Sequence, residues 1–319
     1  MLAAWYDQQG DPGRVLQVGE IPVVEPAPGQ VRVRLTRSGI NPGDVKKRQA
    51  WLGNPMAFAR IIPHSDGVDP SRLGRRVWVY GAQSYRPFGT AAQTTVVPDR
   101  LAVDLPDAVS DGVGACLGIP GITAHRAVFA DGPVAGKVVV VHGVLGSVGS
   151  LAAALAKWGG ATVVGTVRNQ SDVDRVAAGS VDRVVALEGD PVAAVQDLAP
   201  GGVDRVVEVA FSANIELNAQ IVTNGAVIAA YASPDANPTL PFWPLLFNNV
   251  TVRLLGSDDF PVAAKDGAAR DLSIAAAKGA LPISIAATLP LGDVARAHEL
   301  VEDGHPAGRV LLALPEAGV

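Results

Sequence analysis

The sequence predicts a two-part α/β protein: a partly open β-barrel or sandwich, joined to a doubly wound domain built on a parallel sheet. Two observations predict it. Short alternating strands broken by Pro and Gly fill the first hundred residues or so. Beyond residue 110, short valine-rich runs, most without polar alternation, have helical patterns between several of them, as strands buried on both faces of a parallel sheet do.

The elements follow in order. "QVRVRLTRSG" (30–39) alternates Val31, Val33 and Leu35 with Arg32, Arg34 and Thr36, a half-buried strand. "GRRVWVYGA" (74–82) and "GTAAQTTVVP" (89–98) read as two more. Six runs then carry the parallel sheet: "KVVVVHG" (137–143), "ATVVGTV" (161–167), "DRVVAL" (182–187), "VDRVVEVA" (203–210), "GAVIAAY" (225–231) and "VTVRLLG" (250–256). The amphipathic "LGDVARAHELVEDG" (291–304) and the strand-like "AGRVLLALP" (307–315) close the chain, and the latter is expected to return to the first domain.

Bulk composition narrows the partners. The 319 residues are 48% hydrophobic and 18% charged, enough to bury a core and too apolar for disorder. A formal net charge of -5 argues against nucleic acid or an anionic membrane as partner. The single cysteine, Cys116, excludes a disulfide framework and a thiolate zinc cluster. The first ten residues lack a basic, apolar leader, and no long apolar run escapes interruption, so a cytoplasmic protein is expected.

The stretch "VVVVHGVLGSVGSLAAALAKWGG" (138–160) carries the chemistry. Gly143, Gly146 and Gly149 fall between a strand and a helix whose Val148, Leu151, Ala152 and Leu155 share a face. In the first turn of a βαβ unit, one glycine permits the turn, one admits a pyrophosphate to the backbone, and one lets helix and strand pack closely. The helix N-terminus adds free N–H groups and partial positive charge, so Ser147 and Val148 join the phosphate site. The spacing G-x-x-G-x-x-G departs from G-x-G-x-x-G and gains its weight from this placement. Turn glycines in a ligand-free α/β protein are the competing reading. The end of the second strand holds Thr166, Val167, Arg168 and Asn169, with no acid before Asp172, and Thr166, Arg168 and Asn169 are expected to face the cofactor. Arg168 there pairs with a 2′-phosphate, which favours NADPH over NADH; a solvated loop charge is the alternative.

With those motifs in view, the chain resembles the zinc-free quinone oxidoreductases of the medium-chain dehydrogenase/reductase superfamily. The carriers are "SGINPGDVKKRQAW" (38–51), "PHSDG" (63–67), "GRRVWV" (74–79), "FGTAAQTTVVP" (88–98), "GIPGITAHRAV" (118–128), the glycine loop, "GTVRN" (165–169) and "GRVLLAL" (308–314). The resemblance implies a discontinuous GroES-like catalytic domain, 1–110 plus 287–319, and a Rossmann domain over 111–286, with the active site in the cleft between them and a homodimer as the assembly. It implies no metal: Asn41, Ser65 and Pro120 stand where zinc-dependent relatives carry ligands. It places Asn41, Asp44 and Lys46 in the substrate cleft, with Asp44 holding Lys46. Thr123 falls near the nicotinamide, and Ala210, Tyr231, Ala232, Ser233, Gly256 and Ser257 fall along the cofactor.

Three departures bear on this. Gly67 runs almost directly into Val68-Asp69-Pro70, where the family has more residues. Asp172 and Leu187 occupy places where NADPH-using members carry Lys and Tyr. Gly146-Ser147 replaces a paired glycine. The expected activity is hydride transfer from NADPH to a quinone or α,β-unsaturated carbonyl, an acceptor that needs no Lewis acid. A pathway-specific enoyl reductase or tailoring enzyme on a polyketide-like intermediate is the alternative enzyme, and a non-catalytic nucleotide-binding relative the alternative class.

Overall fold

The computed structural model describes the chain except residues 52, 65, 73, 74, 305–307 and 317–319. It divides into two compact units. The first is Met1–Pro120, Ala269–Ala277 and Ile283–Val319; the second is Gly121–Ala268 and Lys278–Pro282.

The first unit begins with β1 (Leu2–Trp5), α1 (Pro12–Val15), β2 (Gln17–Glu20), β3 (Gln30–Arg34), β4 (Arg37–Gly39) and α2 (Pro42–Arg48). It continues through β5 (Asp66–Arg72), β6 (Arg75–Val79), β7 (Thr94–Pro98), β8 (Ala102–Asp104) and α3 (Asp111–Gly114). The expected single strand over 30–39 is two strands. β3 pairs with β7 while β4 pairs with β5, so the chain changes sheet at Leu35–Thr36 and turns a barrel corner. The strand expected over 89–98 is confined to its last five residues. Its first part instead clasps Ile62–His64, with the amides of Gly89, Thr90 and Ala91 donating to the carbonyls of Ile62, His64 and Pro63. A Cβ on Gly89 would lie 2.1 Å from the His64 oxygen, so only glycine permits that approach. Around Gly67, β5 (Asp66–Arg72) still runs seven residues and pairs with β4 and β6. Ser65 and Gly74, singled out in the sequence, lie outside the described residues.

Helix α4 (Ile119–Phe129) leads into the second unit: β9 (Val138–Val141), α5 (Ser147–Trp158), β10 (Thr162–Val167), β11 (Arg183–Ala186), α6 (Pro191–Leu198), β12 (Val203–Glu208), α7 (Phe211–Ile221), β13 (Val222–Ala230), α8 (Phe242–Phe247) and β14 (Thr251–Leu254). All six valine-rich runs are strands, and every pairing is parallel in the order β11-β10-β9-β12-β13-β14. The direction of winding reverses between β9 and β12, the topological switch point at whose strand ends such sheets bind ligands. β13 starts at Val222, ahead of the expected Gly225, and Gly225 carries a φ of +77° inside it. Gly225 falls within the register shift of this strand against β12, between Val222 and Val227. Val140, Val164, Val206, Ile228, Phe211 and Ile215 lie in the core on which α6 and α7 pack.

After α9 (Val262–Ala277) the chain forms β15 (Ile285–Pro290), α10 (Val294–Glu302) and β16 (Arg309–Ala313). β16 pairs antiparallel with β4 in the six-stranded sheet β15-β16-β4-β5-β6-β8, the return expected of "AGRVLLALP". Among the described residues, no helix is long and apolar enough to cross a membrane.

Candidate functional site

The glycine loop is built as its sequence requires, each glycine for its own reason. Gly143 has a φ of +68°, the left-handed region that a side chain disfavours. A Cβ on Gly149 would lie 2.2 Å from the Gly143 carbonyl oxygen, so helix and turn touch through bare backbone. Gly146 is exposed and caps α5 without a side chain, its amide donating to the Gly143 carbonyl at 2.9 Å. The amides of Ser147, Val148 and Gly149 follow in the first turn, where a helix leaves its N–H groups without internal acceptors. Leu151, Ala152 and Leu155 are buried, which seats α5 on the sheet. A Cβ at Gly165 of β10 would press to 2.8 Å from Val144, a close approach the sequence reading did not single out. The turn fits a dinucleotide diphosphate in three respects: a helix N-terminus with its partial positive charge, first-turn amides without intrahelical acceptors, and glycines with no side chain to hold an anion away.

Thr166 faces elsewhere than expected. Its hydroxyl is buried beneath the loop, 2.9 Å from His142 Nδ1 and 3.4 Å from the Gly143 amide. It supports the turn rather than facing outward. Arg168 and Asn169 are exposed directly after β10. Arg168 carries no partner among the described residues, whereas Asp172 is bound to Arg175 at 2.5 Å. The reading from sequence missed Glu188, whose Oε2 accepts from the Gln170 amide at 2.8 Å and so brings a carboxylate close to this strand end.

The remaining cofactor-side candidates gather at the carboxyl ends of parallel strands. Ala210 follows β12, and its amide donates to Glu208 Oε1 at 2.5 Å. Tyr231, Ala232 and Ser233 follow β13; the Tyr231 amide donates to the Glu208 carbonyl, and the Ala232 carbonyl accepts from Phe211. Burial and the nearby Glu208 push the Tyr231 phenol above its ordinary range. Ser233 Oγ is buried with no hydrogen-bond partner among the described residues, an orphan hydroxyl of the kind a ligand satisfies. Gly256 and Ser257 follow β14 by two and three residues. Thr123 is buried in α4, and among the described residues no bond joins it to the loop.

In the first unit, Asn41 caps α2 in a capping box: its amide donates to Asp44 Oδ2 at 2.8 Å. Its side chain is held at both ends. Asn41 Nδ2 donates to Asp66 Oδ2 at 3.0 Å, and Asn41 Oδ1 accepts from Arg309 Nη1 at 3.0 Å. Asp66 also accepts from the Ile119 amide at 2.9 Å, and a Cβ on Gly118 would strike its carboxyl. Burial raises Asp66 to about 7, against the lowering pull of Arg309 and Asn41. Burial raises Asp44 to about 6. The Cys116 thiol, buried beside Arg309, is also pushed up. Lys46 stands apart from Asp44. Its ammonium lies 4.2 Å from the Trp51 ring centroid, so the expected Asp44–Lys46 hold gives way to a cation–π contact.

A second buried chain runs beside this cluster. Arg48 Nε only donates, so His298 Nδ1 accepts from it at 3.3 Å and His298 Nε2 carries the proton toward His64 Nε2 at 3.0 Å. His64 Nδ1 then donates to Ser38 Oγ, Ser38 to Thr90 Oγ1, and Thr90 to the Asp66 carbonyl, each at 2.8 Å. Arg48 is further held by Glu302 and the Gly10 carbonyl. Burial drives His64 well below its ordinary value and His298 down to about 3, so both imidazoles are neutral. Among the described residues, no group of three His, Cys, Asp or Glu side chains is arranged to hold a metal ion.

A family model described as zinc-binding dehydrogenase matches residues 147–265, within the parallel-sheet half. A quinone oxidoreductase of Rattus norvegicus is 28% identical over 245 residues, covering 68% of this chain and 70% of its own length. A mycocerosic acid synthase-like polyketide synthase of Mycobacterium tuberculosis is 26% identical across 92% of this chain, which spans 14% of that protein. Among solved structures, an NAD-dependent alcohol dehydrogenase superposes with a TM-score of 0.86 at 24% identity, covering 99% of this chain and 100% of its own. The quinone oxidoreductase of Thermus thermophilus, solved also with NADPH, superposes with a TM-score of 0.83 at 20% identity, covering 98% of this chain and 100% of its own. These neighbours carry the GroES-like plus Rossmann architecture.

Proposed function

Since the chain belongs to the medium-chain dehydrogenase/reductase superfamily, as an oxidoreductase of the quinone oxidoreductase type, we propose that it uses NADPH to reduce a quinone or an α,β-unsaturated carbonyl without a metal. The observation that carries the reading is the bare-backbone contact of Gly149 with Gly143, which leaves the first-turn amides of α5 open to a diphosphate. The bound nucleotide supplies a hydride.

The chain's own residues do the rest. Ser147, Val148 and Gly149 bind the diphosphate through their amides, with Gly143 and Gly146 keeping side chains out of the way. Arg168, free beyond β10, pairs with the 2′-phosphate, and Asn169 lies next to it. Ala210, Tyr231, Ala232, Ser233, Gly256 and Ser257 line the strand ends, and Ser233 Oγ gains its missing partner. Thr123 is assigned to the nicotinamide side. Asn41, locked by Asp66 and Arg309, keeps one amide hydrogen uncommitted for an acceptor oxygen that gains negative charge. Asp44 fixes the Asn41 backbone, and the proton comes from Lys46 or from water. The metal-free part of the proposal rests on the same cluster: a guanidinium 3.8 Å from Asp66 already supplies the positive charge there.

The likeness to a polyketide synthase favours a second reading, an enoyl reductase or tailoring enzyme acting on a polyketide-like intermediate. Loss of NADPH absorbance with a panel of small quinones, small enones and acyl-thioester enones tests both. Rapid turnover of the small acceptors supports the first, turnover of thioesters alone supports the second, and binding without any turnover leaves a non-catalytic nucleotide-binding protein.

We also assign a homodimer, in a cytoplasmic setting. β14 is an edge strand of its sheet, and Trp243 and Phe247 on α8 are 63% and 71% exposed, a pairing edge beside an aromatic face.

A further inference from the structure

The valine run of β9 ends in a fully buried histidine, His142, that neither the motif nor the proposed chemistry uses. Its bonds can be ordered from one end. Glu208, the last residue of β12, is fully buried and accepts from the Ala210 amide at 2.5 Å, Asn214 Nδ2 at 2.9 Å and Asn218 Nδ2 at 2.6 Å. Asn214 and Asn218 sit one turn apart on α7 and so reach the same carboxyl. With its nitrogen given to Glu208, Asn218 turns Oδ1 toward His142 Nε2 at 2.8 Å. That nitrogen must therefore carry the proton, and His142 Nδ1 is left to accept. Among the described residues, the donor it has is the Thr166 hydroxyl at 2.9 Å. The Thr166 oxygen in turn offers a lone pair to the Gly143 amide at 3.4 Å.

The chain Glu208–Asn218–His142–Thr166–Gly143 thus has one direction throughout. It bridges β9 and β12, the two strands at the switch point, and ends on the residue whose left-handed φ sets the glycine turn. Apolar side chains would fill this space with less desolvation, as they do along the rest of β9. We propose that His142 is a positioning residue for the dinucleotide: by fixing the Thr166 hydroxyl it holds Gly143, and with it the open amides of α5, in the binding geometry. This rests on the proposed nucleotide site.

The test compares His142→Leu, His142→Gln, Thr166→Val, Thr166→Ser and the double variant H142L/T166V. It reads reduced-nucleotide affinity by fluorescence and hydrogen exchange of the 143–146 amides in the nucleotide-free protein. The loss of one chain predicts roughly three- to tenfold weaker nucleotide binding for H142L and T166V alike, with KM raised more than kcat is lowered. The double variant binds no worse than the weaker single variant, and both singles speed exchange at Gly143. H142Q and T166S, which keep the donor and acceptor, bind like wild type. Unchanged affinity and exchange in H142L, or losses that multiply in the double variant, overturn the inference while leaving the nucleotide site intact. Wild-type protein that binds neither NADPH nor NADH overturns the site itself and the inference with it. If H142L does not fold, the T166V and T166S pair carries the test, because Val replaces the hydroxyl by a methyl while Ser keeps the hydroxyl and loses only the methyl.

Discussion

Arg309 Nη1 lies 3.0 Å from Asn41 Oδ1, which joins a residue of the last strand to the cap of the first long turn of helix. The contact orients the Asn41 amide and places a guanidinium beside the buried Asp66 carboxyl. Replacing Arg309 by Gln is expected to destabilise the protein by about 3 kcal/mol, because one partner of a buried pair is left alone. The loss is smaller at pH 5 than at pH 8. Asp66 titrates at about 7 with Arg309 present, and without it the carboxyl remains neutral to higher pH at no electrostatic loss below. Chemical denaturation at the two pH values checks this; an equal loss at both would refute it.

The glycines separate folding from binding. Gly149→Ala forces a Cβ to 2.2 Å from a carbonyl oxygen, so it is expected to destabilise by roughly 1–3 kcal/mol as overpacking does. At Gly146 the nearest atom to an added Cβ is the same oxygen at 3.2 Å, and the position is exposed. Gly146→Ala should melt within a few degrees of wild type yet bind reduced nucleotide about tenfold more weakly, since its methyl stands where the diphosphate approaches. Calorimetric titration beside thermal melting distinguishes the two.

Arg168 tests the choice of nucleotide. Arg168→Ala is expected to weaken NADPH binding by roughly tenfold and NADH binding by less than twofold, the difference being one charge-assisted contact to the 2′-phosphate. Equal losses for both nucleotides would refute the assignment. Glu188, near the same strand end, supplies the complementary variant: Glu188→Gln should improve NADPH relative to NADH.

Stability against pH carries two opposing signatures. Asp66 is raised on folding, so its contribution is fully present below the unfolded value near 4 and is lost as pH rises toward 7. His64 and His298 are depressed on folding, so their contribution is present above 6.5 and is lost as pH falls below it. Asp66→Asn should therefore gain stability relative to wild type as pH rises from 4 to 7, and His298→Gln should flatten the decline below 6.5. Melting temperatures across pH 4 to 8 give both slopes; parallel curves for all three proteins would remove the assignment.

Much of this was legible along the chain. Valine runs, most without alternation, predicted the six strands because a parallel sheet covered on both faces leaves little room for polar side chains; all six form, and the edge strand β14 is the exposed one. The glycine turn was legible because left-handed backbone and bare-backbone packing are local demands that only glycine meets. Thr166 was expected to face the cofactor and turns under the loop instead, since a residue at a strand end faces either side of its loop, and the buried His142 decided which. The resemblance paired Lys46 with Asp44, yet Trp51 holds it, because residues two apart on a helix do not face each other and the lysine reaches a ring five residues on.

By itself, then, the sequence determined the elements and the turn that can cradle a diphosphate, because period and glycine placement act over a few residues. Tertiary structure alone decided which polar groups meet. Arg309 reaches Asn41 across 268 positions, and Glu208 reaches His142 through a helix, because buried donors and acceptors find partners in space and leave no periodic trace in the chain.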